Sequence, residues 1–68
     1  MRETAMNLYL IAQDAIIRNL NGRIIEGLLA KYGEDPSLVK DTWTSEQCAE
    51  ALFAKGDELR AHARYEAR

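Results

Sequence analysis

Cysteine, proline, histidine and tryptophan each occur once in the 68 residues, and aromatic residues make up only 7%. A lone cysteine, Cys48, excludes a disulfide within the chain and fits a reducing compartment. With one Cys and one His62, the usual zinc ligand sets cannot form in one chain. Strong charge of either sign is missing too: the net charge is −2, which gives no general attraction to nucleic acid or to an anionic membrane. The short apolar run Leu8 to Ala12 is bracketed by Asn7, Gln13, Asp14 and Arg18. It is too short and too polar for a membrane span or a signal core, so the expectation is a cytoplasmic protein without a targeting segment.

What remains is helix-forming sequence. A single domain of this size buries only ~60% of the surface of its unfolded chain and is marginal alone. Disulfides and metals being unavailable, a second subunit is the expected support. Thr4 can cap a first helix that reads to Tyr32, where Gly33 supplies the left-handed stop and Lys31 faces the last carbonyls. Asn21-Gly22 is a turn-prone dipeptide inside it. The apolar phase does not slip there, because Leu10, Ile17 and Ile24 fall seven apart, so the helix is read as continuous over about 4–32. A connection over 33–43 follows, with Asp35-Pro36 as cap and first-turn proline and a short helical turn at Ser37 to Lys40. Thr44-Ser45-Glu46-Gln47 fits a capping box, opening a second helix over about 45–67, and Trp43 could staple against Cys48.

Heptad spacing is the most informative feature. Met6, Leu10, Gln13, Ile17, Leu20, Ile24 and Gly27 form one stripe, and Leu8, Ile11, Ala15, Arg18, Gly22, Ile25 and Leu29 form another. The second helix offers one narrow stripe of Cys48, Leu52, Gly56, Leu59 and Ala63. It can cover one seam of helix one and leaves the other bare, which soluble monomers seldom tolerate. The expectation is therefore all-α: a hairpin of two long helices, paired as a homodimeric four-helix bundle. Leu8, Ile11, Ala15, Gly22, Ile25 and Leu29 are read as the self-association seam, with Gly22 at a close crossing. The competing reading is a monomer in which helix one bends at Gly22 and wraps its own core.

No catalytic set survives inspection, so neither an enzyme nor a cofactor is expected. Gly22 and Gly27 have phosphate-loop spacing, but Leu28 and Leu29 stand where Lys and Ser or Thr are required. Cys48 and His62 lie fourteen positions apart on one helix, ~21 Å along its axis. Glu46 and Glu50 read as dipole partners at a helix N-terminus. Asp14, beside an apolar stripe, is the acid most exposed to perturbation. Arg60, Arg64 and Arg68 form a ladder with Tyr65 nearby, able to hold phosphates or an acidic protein surface. Tyr9 is a further candidate contact.

Thr4-Ala5-Met6-Asn7 and Gly56-Asp57-Glu58-Leu59 resemble stretches of the plasmid Rop family, dimeric helical hairpins that bind RNA loop pairs. The resemblance implies a dimeric hairpin architecture. It does not carry RNA binding: only Asn7 matches the polar and aromatic groups that family uses on its first helix, with Ile11, Ala15 and Gly22 where others would stand. The connection is also longer than the tight Rop bend. The functional expectation is a non-enzymatic protein–protein interaction module, a small regulator or inhibitor docking on an unidentified larger protein, of a kind frequent in phages and mobile elements. The alternative is a dimeric nucleic-acid-binding regulator using the arginine ladder.

Overall fold

The computed structural model describes the backbone of residues 2–66 and the side chains of residues 3–62. The chain runs as α1 (Arg2–Ile17), α2 (Gly22–Lys31), a 3-10 turn (Pro36–Leu38) and α3 (Ser45–Glu66), with no strand among the described residues. It is a helical hairpin of α1 against α3, with α2 and the 3-10 turn closing one end of the core.

The all-helical expectation stands, and the long first helix is corrected. It breaks after Ile17. Asn19 adopts φ 53°, the left-handed region that asparagine enters more readily than most residues. The Leu20 N–H then donates to the Ala15 carbonyl at 2.9 Å and the Asn19 N–H to Ile16 at 3.4 Å, a Schellman stop. Two residues on, the Asn21 side chain accepts from the Ile24 N–H at 3.2 Å and caps α2. The end of α2 repeats the stop in the form the sequence announces. Gly33 sits at φ 76°, its N–H donates to Ala30, and the Glu34 N–H donates to Leu29.

The later signals hold. Asp35 accepts from the Ser37 N–H and hydroxyl ahead of Pro36, although the turn ends at Leu38 rather than Lys40. Thr44 and Gln47 close on each other's backbone N–H as a capping box. Trp43 is half-buried and packs against the core cluster that contains Cys48.

The core is Leu8, Ile11, Ala12 and Ala15 of α1, Ile25 and Leu29 of α2, Val39, and Cys48, Ala49 and Leu52 of α3. Small residues of both helices share the core, Ala12 and Ala15 of α1 with Cys48 and Ala49 of α3, and Gly56 lies against the Tyr9 ring. That lets the two helices approach closely. Gly22 is also a close-approach site, though not between copies. A Cβ there would stand 1.8 Å from the Lys40 carbonyl oxygen, and the Gly22 N–H donates to the Trp43 carbonyl at 2.9 Å.

All six residues assigned to self-association are therefore inside the chain. Leu8, Ile11, Ala15, Gly22, Ile25 and Leu29 are buried in this one protomer. The hairpin consumes that seam because the break at Asn19 folds α2 back over the end of the core, so α3 is not its only cover. A buried seam offers nothing to a second copy.

Candidate interaction surface

The other stripe is the bare one. Met6 is 57% exposed, Leu10 46%, Ile17 78% and Ile24 49%. At 100° per residue, Met6, Leu10, Gln13 and Ile17 share one side of α1. Ala5, Leu8, Ala12 and Ala15 lie about half a turn away. So α1 is apolar on two opposed sides. One faces α3, and the other faces solvent with Ile16 alongside. Large aliphatic side chains gain nothing from water, and burying one fully stabilises by about 1.5–3 kcal/mol. Three on the outer side of a 16-residue helix, with Ile16 exposed about a quarter turn away, form a patch that isolated surface leucines do not explain.

The ends of this patch carry charge. Glu3 is exposed at the N-terminal end. Arg18, just past the C-terminal end, lies 3.9 Å from the Asp14 carboxylate. On α2, Gly27 is exposed, and a Cβ built there meets nothing within 4 Å. Tyr32 adds a partly exposed ring at the end of α2.

The expected partner-binding residues are distributed differently. Tyr9 is committed within the chain. Its hydroxyl donates to Asp57 at 2.5 Å, its ring lies 6.2 Å from that of Phe53, and it packs on Gly56, where a Cβ would come within 2.7 Å. The Asp57 carboxylate holding its proton keeps the phenol above its ordinary pKa; burial adds to this and Arg60 opposes it. Arg60 is exposed and bears on that same phenol. Arg64 and Tyr65 belong to the last turn of α3, but their side chains, and all of Arg68, lie outside the described residues.

The weaker chemical candidates stay apart. Cys48 is buried, and its thiol is pushed up by burial and secondarily by Glu26, which makes it a poor nucleophile. His62 is exposed further along the same helix. Glu46 and Glu50 are exposed near the start of α3. Among the described residues no group of three or more His, Cys, Asp or Glu side chains could hold a metal, and no helix is long and apolar enough to cross a membrane.

The outward stripe was legible as a stripe, but its direction was not. Periodicity alone carries no signal that assigns it, since α3 offers the same small residues, Ala49 and Gly56 among them, to either stripe. Compared with family models, with curated protein sequences and with solved structures, the chain finds no match in any of the three.

Proposed function

We propose that this protein is a non-enzymatic protein–protein interaction module, a small regulator or inhibitor that works by docking. Its working surface is the outward side of α1, formed by Met6, Leu10, Ile17 and neighbouring Ile16. The supporting observation is the exposure of Met6, Leu10 and Ile17 on the side of α1 away from its core face. Covering each half-exposed side chain would contribute roughly 1 kcal/mol. A flat helical face of this kind suits a partner helix or a shallow apolar groove. The nucleic-acid reading has less support, because Asp57 and Glu58 stand beside Arg60 in a chain of net charge −2.

The test is affinity capture from the native host followed by native mass spectrometry, run in parallel with a Leu10→Glu/Ile17→Glu variant whose helicity is checked by circular dichroism. Complexes are expected with the parent chain and lost with the folded variant. Complexes that survive both substitutions would place the docking surface elsewhere.

A further inference from the structure

We propose that Asn21 is a site of spontaneous deamidation and that the 40–43 segment holds it closed. Two separate demands of the fold put a reactive dipeptide there. The start of α2 needs a side-chain oxygen, and Asn21 supplies it to the Ile24 N–H at 3.2 Å. The next position takes no side chain, because a Cβ at Gly22 would stand 1.8 Å from the Lys40 carbonyl oxygen. A cap and a close approach on consecutive residues leave an Asn-Gly peptide bond. Glycine has no side chain to shield its own nitrogen, so a preceding carboxamide can reach it.

The chemistry needs only water and a base. The Gly22 nitrogen gives up its proton and attacks Cγ of Asn21. The N–Cγ bond forms, the Cγ–Nδ2 bond breaks, and the amide nitrogen takes up a proton and leaves as ammonia. Water then opens the cyclic imide at one carbonyl or the other. One opening leaves aspartate at position 21. The other leaves isoaspartate, with the main chain running through the former side chain.

In the folded chain neither reactant is at liberty. Asn21 is exposed to water, but its carboxamide is engaged as the cap. Gly22 is buried. The first N–H of a helix has no partner within that helix, yet this one donates to the Trp43 carbonyl at 2.9 Å. Removing its proton would set a buried anion against that carbonyl oxygen, which is costly. The reaction therefore waits for the 40–43 segment to lift from Gly22, a local opening.

The two products differ in consequence. Aspartate keeps the cap acceptor and adds a negative charge at the N-terminus of α2, where it is favourable. Isoaspartate inserts an extra backbone atom between the cap and Gly22, so the hydrogen bonds to Ile24 and Trp43 no longer form together. A transient opening becomes a permanent one, at the corner that folds α2 over the core.

Peptide mapping by mass spectrometry, with isoaspartate separated from aspartate, is the test. The intact chain is incubated in mildly alkaline buffer with and without guanidinium chloride. In the unfolded chain Asn21 should be converted faster than Asn7 and Asn19, both followed by leucine. In the folded chain its conversion should be at least about tenfold slower, because it must wait for the opening. Trp43→Ala loosens the 40–43 segment and leaves positions 21 and 22 untouched. Its rate should fall between the two, with helicity confirmed by circular dichroism. Should that variant fail to fold, the parent supplies a second measurement: across sub-denaturing guanidinium, Asn21 conversion should rise in step with hydrogen exchange of the Gly22 N–H. Equal conversion in the folded and unfolded parent overturns the inference. So does an unfolded chain in which Asn7 or Asn19 reacts as fast as Asn21, a folded Trp43→Ala no faster than the parent, or conversion that does not follow Gly22 exchange.

Discussion

At the scale of single residues, Tyr9 shows how a sequence-level candidate is absorbed by the fold. A tyrosine outside the apolar seams reads as a contact residue, and nothing local says otherwise. Its partner Asp57 is 48 positions away, so the pairing exists only once α1 and α3 lie together. Gly56 belongs to the same arrangement, because the Tyr9 ring occupies the space a side chain there would need. The Asp57 carboxylate is the leading cause of the raised Tyr9 pKa. The phenol should therefore titrate above the ordinary tyrosine value of 10.0. For an acid whose folded-state pKa is raised, the associated stability is complete below the unfolded pKa. It is lost as pH rises through the folded one. The Tyr9 ring resonances, followed by NMR through alkaline pH, should show a midpoint above the ordinary value in the parent and a lower one in Asp57→Asn. An unchanged Tyr9 midpoint in that variant would mean the hydrogen bond does not hold the proton.

At the scale of elements, the capping chemistry of α3, the Asp35-Pro36 turn and the Gly33 stop were all readable. Each is decided within four or five residues. The break in the first helix was misread for a physical reason. Continuity was inferred from Leu10, Ile17 and Ile24, and these side chains are exposed; their phase reports nothing about packing. The stronger signal was the pair Asn19 and Asn21 ahead of Gly22, one asparagine suited to a left-handed stop and the next to a helix cap. Gly22 and Gly27 then separate cleanly, although both lie in α2. A Cβ at Gly22 collides with backbone at Lys40, whereas Gly27 faces open space. Gly22→Ala should cost about 1–3 kcal/mol through overpacking. Gly27→Ala should stabilise by up to about 1 kcal/mol, the helix-propensity difference. Urea denaturation of both variants checks the pair, and equal effects of one sign would show that Gly22 does not pack beneath the 40–43 segment.

At the scale of the whole molecule, the count of apolar seams was right and their assignment was inverted. Two stripes were visible because periodicity is local. Which one a partner helix covers depends on how side-chain sizes match across the α1–α3 contact, and on α2 folding back, neither of which periodicity carries. The inversion has an energetic signature. Leu8 and Ile25 are fully buried, while Ile17 is the most exposed of the large aliphatic side chains. Leu8→Ala or Ile25→Ala should destabilise the fold by about 2–5 kcal/mol. Ile17→Ser should change the stability of the single chain by no more than about 0.5 kcal/mol. Chemical denaturation of these variants beside the parent chain checks the contrast. If Ile17→Ser instead costs as much as Leu8→Ala in the dilute chain, the outward stripe is part of the core and the docking face must be sought elsewhere.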